Sequence, residues 1–226
     1  MFRLPADEAR AARVRLVADA EHYEWLVRDA IAGARVSVWI GTANVKAMLV
    51  EAPRGTAARA RGAAVSVLHT FDALARRGVE LRLLHAGLPS RAFRDEFTRL
   101  SSLREGALAM RRCPRVHFKV IVVDGTHLYI GSANFTGAGL GAKGRGRRNF
   151  ELGIITDDDV LLDVTQARFE RVWTGAECAG CRLRAHCPAP LDRPRPAALA
   201  RSLPAPALKA AAKLVRSPRP PRARQP

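Results

Sequence analysis

One stretch, RVHFKVIVVDGTHLYIGSANFTG (residues 115–137), decides both the fold and the chemistry of this chain. Its two runs of β-branched and aromatic residues predict two short buried strands joined as a hairpin. Polar residues interrupt the pattern: His117 and Lys119 stand two apart, and Ser132 and Asn134 follow the second run. Residues two apart in a strand face the same side, so His117 and Lys119 share one face. The pattern therefore predicts that these four polar side chains converge on one spot.

Further apolar runs on both sides of the hairpin extend the predicted sheet. RVSVWIGTAN (residues 35–44), VELRLLHAG (79–87) and NFELGIIT (149–156) are typical of buried strands. Segments with helical spacing of apolar residues alternate with them, and residues 7–34 are predicted to be one helix or a helix pair. This alternation predicts an α/β sandwich, with a central mixed, mostly parallel sheet flanked by helices.

Composition divides the chain into three parts. Residues 1–175 form the predicted catalytic domain, and residues 176–187 form a cysteine-rich clip. Residues 188–226 hold ten of the fourteen prolines, and nine Lys and Arg against one acid, Asp192. We therefore expect a disordered basic tail from residue 188 onward.

The charge balance points to a negatively charged partner. The chain has 38 Lys and Arg against 21 Asp and Glu, a net charge of +17. Nucleic acid, an anionic membrane surface or a phosphorylated substrate would each fit, whereas a basic bias that only favours solubility is the alternative. The N-terminus lacks the apolar core of a signal peptide, and no run approaches the ~18 apolar residues of a membrane span. We expect a cytoplasmic protein with reduced cysteines.

The spacing of the polar residues matches a known signature. From His117 to Phe135 the sequence reads H-x-K-x4-D-x6-G-S-x-N-F, and NFELG follows at residues 149–153. This pattern resembles the HKD motif of the phospholipase D superfamily, and the resemblance extends over about residues 20–175. It implies a phospholipase D-like fold and the activity of a phosphodiesterase.

The resemblance also implies a role for each motif residue. His117 would attack phosphorus and form a phosphohistidine. Lys119 and Asn134 would hold the non-bridging oxygens with support from Ser132, and Glu151 would orient His117. These residue types suit the reaction, because imidazole is a good nucleophile and the oxygens that gain charge need donors already in place. No cofactor and no divalent metal would be needed for catalysis.

Asp124 belongs to the motif, but two roles remain open for it. It could take part in catalysis directly, or it could cap the end of the strand or form a structural ion pair.

The chain carries a single copy of the motif, although the family's two-step reaction uses two histidines. None of the other five histidines stands in an H-x-K sequence. We therefore expect a homodimer with one composite site at its two-fold axis, to which each chain contributes a His117.

The substrate class is inferred from the charge. Single-motif members resemble small bacterial endonucleases, and a Gly/Arg-rich loop at residues 141–148 lies between Asn134 and Glu151. Its basic residues are predicted to bind substrate, unless the loop is only a flexible solvated turn: Lys143, Arg145, Arg147 and Arg148. The net charge favours nucleic acid. Two alternatives stay open: a phospholipase or phosphatidyltransferase acting on anionic phospholipids, and a catalytically silent nucleic-acid-binding protein.

The four cysteines form a candidate structural metal site. Cys178, Cys181 and Cys187 are spaced C-x2-C-x5-C, and Cys113 lies four residues before His117. Four thiolates suit tetrahedral zinc first and an iron–sulfur cluster second, and His186 could replace Cys113. The alternative is four reduced thiols with a redox-labile pair.

Overall fold

A seven-stranded sheet forms the centre of the computed structural model, which describes residues 10–193. The strand order across the sheet is β1-β9-β8-β7-β2-β5-β6, and β3 pairs with β4 in a separate two-stranded sheet. The strands are β1 (Arg15–Ala18), β2 (Ser37–Thr42), β3 (Leu49–Glu51), β4 (Ala64–Ser66), β5 (Glu80–His85), β6 (Leu108–Arg112), β7 (Val120–Val123), β8 (His127–Gly131) and β9 (Leu152–Thr156).

Helices cover both faces of this sheet. The α-helices are α1 (Ala57–Ala60), α2 (Val67–Arg76), α3 (Arg91–Arg99) and α4 (Asp159–Trp173). Two segments have π-helical geometry, His22–Ile31 and Leu103–Ala107, and two are short 3₁₀ turns, Arg145–Arg147 and Arg184–His186. Within residues 10–193, none of the helices combines the length and the apolar character needed to cross a membrane.

The two faces bury separate clusters of apolar side chains. On one face, Phe71 of α2 packs in the larger core with Ile121 and Tyr129 of the sheet. On the other face, Phe169 of α4 packs with Val120. Alternate residues of β7 therefore supply the two cores, as expected for a strand covered on both sides. The predicted α/β sandwich is confirmed.

The sheet is mixed, but the prediction that it is mostly parallel is wrong. Only β2–β5 and β5–β6 are parallel, whereas β1–β9, β9–β8, β8–β7 and β7–β2 are antiparallel. Short connections explain the difference. Three residues join β7 to β8, which is enough for a hairpin but far too short for a parallel crossover.

Residues 7–34 contain a strand that the helix prediction missed. The edge strand β1 pairs with β9, with Arg15 opposite Ile155 and Ala18 opposite Leu152. The helical part of the described residues 10–34 follows this strand and has its π-helical stretch at His22–Ile31. The pairing with β9, which is distant in sequence, determines the strand conformation of Arg15–Ala18. The spacing of apolar residues within residues 7–34 carries no information about that pairing.

The ordered body extends beyond the predicted boundary at residue 188. Leu191 is 7% exposed and packs against Phe169 and Val172, so residues 188–191 belong to the body and not to a disordered tail. The remainder of the predicted basic tail, residues 194–226, lies outside the described residues.

Candidate active site

His117 and Lys119 lie in the segment directly before β7 and approach each other closely. The Lys119 Nζ atom is 3.3 Å from each ring nitrogen of His117 and donates a hydrogen bond of 2.6 Å to the His117 carbonyl oxygen. His117 is exposed, whereas Lys119 is 9% exposed. A buried ammonium group thus lies directly beside a solvent-accessible imidazole.

Burial lowers the pKa of Lys119, and the negative charge of Glu151 opposes that shift. The second effect shows that the Glu151 carboxylate acts electrostatically on the same lysine. Lys119 therefore belongs to a compact group of charges where an anionic ligand would meet a partly desolvated cation.

Ser132 joins the second half of the motif to Glu151. Its hydroxyl donates to Glu151 Oε2 and accepts from the backbone N–H of Leu152 at 3.1 Å. The other carboxylate oxygen accepts from Asn149 Nδ2 at 3.0 Å. Glu151 is 8% exposed, so these hydrogen bonds satisfy both oxygens of a buried carboxyl group.

Asn134 is held in one orientation by residues after β2. Its Oδ1 accepts from the Asn44 backbone N–H at 3.1 Å and lies 3.3 Å from the Thr42 hydroxyl. A backbone N–H can only donate, so the atom that faces it is the amide oxygen. The two N–H donors of the Asn134 side chain are then the part available to an anionic oxygen.

The structure thus brings five of the six predicted catalytic residues together, but Glu151 has different partners from those expected. Among residues 10–193, its side-chain hydrogen bonds reach Ser132 and Asn149, and none reaches His117. That Glu151 orients His117 stays a prediction.

Tyr129 supports the motif from beneath. Its hydroxyl accepts from the Ala133 backbone N–H at 3.2 Å, and its ring packs edge-on against His22. A Cβ atom at Gly131 would lie 2.3 Å from the Tyr129 hydroxyl, and one at Gly153 would lie 2.3 Å from the ring. Burial raises the pKa of Tyr129 to about 12, so the hydroxyl is neutral. Two glycines of the motif region therefore make room for one aromatic ring.

Asp124 does not join the catalytic group. It lies at the opposite end of β7 from His117, and its carboxylate accepts from the backbone N–H groups of Arg35, Val36 and Ser37. Desolvation raises the pKa of this carboxyl, but the three backbone bonds outweigh that effect and the net shift is downward. Of the two roles left open, these contacts favour the strand-end cap.

The predicted substrate loop borders the site. Lys143 N donates to Gly137 O and Asn149 N donates to Ala138 O, both at 3.1 Å, so the loop closes just after Asn134 and just before Glu151. Lys143, Arg145 and Arg147 are exposed. Arg148 Nε is buried without a hydrogen-bond partner among the described residues.

The four cysteines lie together, away from these residues. All of them line one cavity, and Phe118, the residue between His117 and Lys119, forms part of its wall. They are reduced in the structure.

Sequence reasoning missed the residues that position the site. Thr42 and Asn44 hold Asn134, Asn149 holds Glu151, and Asp19 Oδ1 accepts from the Glu151 backbone N–H at 3.0 Å. A signal existed for two of them, because Thr42 and Asn44 are polar residues at the end of an apolar strand. Asp19 has no such signal, since it meets Glu151 only through the pairing of β1 with β9.

Comparison with known proteins identifies the family of the chain. The family model described as "Cardiolipin synthase, PLD-like domain" matches residues 27–173, about two thirds of the chain. No curated protein matches.

Several solved structures are similar. Nuc from Salmonella typhimurium, described as a phospholipase D family member, is 20% identical, with 72% of this chain and 95% of Nuc covered at a TM-score of 0.46. NucT from Helicobacter pylori is 12% identical, with 70% and 95% covered at 0.48. Phosphatidylserine synthase from Haemophilus influenzae Rd KW20 is 15% identical, with 70% and 38% covered at 0.46.

The family match includes every residue from His117 to Glu151, and with them all six predicted catalytic residues. By this match and by its motif, the chain belongs to the phospholipase D-like family of phosphodiesterases.

Proposed function

We propose that the protein is a nuclease that cleaves phosphodiesters through a phosphohistidine intermediate at a site shared by two chains. One observation carries this proposal: His117, Lys119, Ser132, Asn134 and Glu151 come together at one end of the three neighbouring strands β7, β8 and β9. A nucleophile, a cation and amide donors are what transfer of a phosphoryl group requires.

The reaction follows from these groups. A ring nitrogen of His117 forms a bond to phosphorus while the bond from phosphorus to the leaving oxygen breaks. The partner subunit's His117 gives that oxygen a proton. Water then attacks phosphorus, the partner subunit's His117 takes up a proton from the water, and the phosphorus–nitrogen bond breaks. Lys119 and Asn134 meet the non-bridging oxygens throughout, which supplies positive charge without a metal ion.

An exposed apolar patch supports the homodimer. Phe150 is 96% exposed and Leu152 60%, and these residues are the two chain neighbours of Glu151. Leu16 (66% exposed) and Val14 (50%) lie on the adjoining edge strand β1 or just before it. Ala18 pairs with Leu152, so all four side chains share one face of the sheet. Large exposed apolar patches mark interaction sites, and this one flanks Glu151 along the chain while the Glu151 side chain faces the other side of the sheet.

The charge of the chain supports nucleic acid as the substrate. The net charge is +17, and the basic loop directly borders Asn134 and Glu151. A long polyanion would contact both the catalytic group and this loop, whereas a single lipid headgroup would occupy only the former.

If the basic loop (residues 141–148) binds substrate, an arginine inside the loop should affect KM and an exposed arginine outside it should not. Replacing Arg145 by alanine is expected to raise KM about threefold to tenfold, leave kcat nearly unchanged and lower the slope of log KM against log salt by about one. Arg94 of α3 is also exposed, and Arg94→Ala should change neither quantity. Steady-state kinetics on a labelled oligonucleotide at four salt concentrations measures both. Equal effects from the two variants would contradict a loop contact to phosphate.

The substrate class is tested by incubating the protein separately with three kinds of phosphodiester. Labelled plasmid DNA, RNA and vesicles of phosphatidylglycerol are each incubated with the protein in EDTA. We expect cleavage of nucleic acid, sustained in the presence of the chelator. Cleavage of the lipid alone would establish the phospholipase alternative, which the description of the matching family favours. Binding of nucleic acid without cleavage would establish the silent binding protein.

A further inference from the structure

We propose that Cys113, Cys178, Cys181 and Cys187 hold an iron–sulfur cluster that joins the C-terminal segment, the cysteine-rich clip at residues 176–187, to the segment that carries His117 directly before β7. The four thiols come from two segments separated by 64 residues, yet all of them line the same cavity. They are the only cysteines of the chain.

The backbone of the second segment turns repeatedly so that its three cysteines face the cavity. Cys181 N donates to Cys178 O at 3.1 Å, Arg184 N to Cys181 O at 3.0 Å, and Cys187 N to Arg184 O at 3.3 Å. On the opposite wall, Val116 N donates to Cys113 O at 3.0 Å. Each wall is thus a set of tight turns with thiols directed inward.

Ion pairs and backbone bonds hold the second segment in place. Glu177, next to Cys178, accepts from Arg168 at 2.8 Å and from Arg171 at 2.9 Å. Arg111 of β6 donates to the carbonyl oxygens of Trp173 and Leu191, on either side of the segment. The position of the three cysteines relative to the sheet is therefore fixed by contacts independent of the thiols.

The space between the thiols fits a cluster better than a single ion. Zinc binds thiolates at about 2.3 Å, which places the four sulfur atoms about 3.8 Å apart. The four cysteines surround a cavity of about 100 Å³, which is more space than one zinc ion between touching thiolates would leave. A cluster fills such a space because its core of iron and sulfide lies between the four thiolates.

The charge around the cavity suits an anionic centre. Four thiolates on a cluster core with a 2+ charge leave two negative charges. Four arginines line the cavity against the single acid Glu177: Arg112, Arg115, Arg168 and Arg184. Arg115 already hydrogen-bonds the Cys181 sulfur. Pairing with cations is what a partly buried anion requires.

The cluster would couple the C-terminal segment to catalysis through position alone. Cys113 lies four residues before His117, and Val116 and Phe118 form part of the cavity wall. The wall and the catalytic pair are alternate residues of one segment, so they face opposite sides.

The proposal is tested on the full chain purified without oxygen. Iron, zinc and acid-labile sulfide are measured, and the absorption spectrum is recorded before and after dithionite. We expect about two to four iron atoms with equal sulfide per chain, and a broad visible absorption that dithionite bleaches. One zinc without sulfide would overturn the cluster. Neither metal, even after reconstitution with ferrous iron and sulfide, would overturn the site.

Two variants and a control locate the ligands. Cys181→Ser and Cys113→Ser should each bind less than about a fifth of the iron that the wild-type chain binds. His186→Gln should retain it, because His186 is exposed and does not line the cavity. Full iron in Cys113→Ser, or loss in His186→Gln, would overturn ligation by the four thiols. Should the cysteine variants fail to fold by circular dichroism, the wild-type stoichiometry still decides the proposal.

Discussion

Replacing His117 by alanine is expected to lower turnover by at least about four orders of magnitude, because this side chain supplies the nitrogen that bonds to phosphorus. His127 offers a matched control at the other end of the hairpin, where it is exposed and contacts the Thr126 hydroxyl at 2.9 Å. His127→Ala should keep activity within about twofold. Single-turnover kinetics with the preferred nucleic acid measures both variants. More than a tenth of wild-type activity in His117→Ala would rule out the nucleophile.

The same variant tests the shared site. If each active site needs both His117 side chains, a heterodimer of wild-type and His117→Ala chains is inactive. An equal mixture that has exchanged subunits should then keep about a quarter of the activity of the same amount of wild type, because only a quarter of the dimers have two histidines. About half of the activity would mean that each chain acts alone. Analytical ultracentrifugation checks that the mixture is dimeric.

The second large effect is on stability. Asp124→Asn is expected to lower the free energy of unfolding by about 2 kcal/mol, because a carboxylate that accepts three backbone N–H bonds becomes a weaker neutral acceptor. Asparagine tolerates the left-handed backbone of this residue (φ 55°), so the turn itself is kept. The value of kcat/KM should stay within about threefold of wild type. Urea unfolding at a fixed protein concentration measures the change.

The stabilisation by Asp124 should disappear in acid. The folded-state pKa of this carboxyl lies below its unfolded value, so its contribution is present above the unfolded pKa and is lost as pH falls through the folded pKa. The difference between wild type and Asp124→Asn should therefore be large at neutral pH and small in strong acid. Asp157→Asn is the control, because Asp157 forms an exposed ion pair with Arg13 and this substitution should cost less than about 0.5 kcal/mol. A loss of activity in Asp124→Asn at unchanged stability would restore its catalytic role.

The core of the site was predictable because it depends on local geometry. The two-residue spacing in the segment directly before β7 brings His117 and Lys119 together, and the hairpin returns Ser132 and Asn134 to the same end. Only the order of residues along a short segment was needed. The same segment also revealed the family, and the family match confirms it.

The parts that were not predictable depend on distant segments. Strand β1 has four residues, and its pairing with β9 joins positions more than 130 residues apart. That pairing brings Asp19 to Glu151 and creates the exposed edge near Phe150. Similarly, the H-x-K-x4-D spacing includes Asp124 but does not show where its side chain lies. The length of β7 places Asp124 at the opposite end of the strand from His117.

Tyr129 explains why two positions of the motif are glycine. Gly131 and Gly153 belong to the recognisable pattern, yet the structure assigns them to the space occupied by this ring. Two glycines of the motif are therefore explained in part by Tyr129, a residue that the motif does not include. A chain that kept every motif letter but replaced this tyrosine by a small side chain would still be recognised by pattern matching. It would lack the hydroxyl that accepts from the Ala133 backbone N–H, between Ser132 and Asn134. The motif would then be present in the sequence without the contact that positions it.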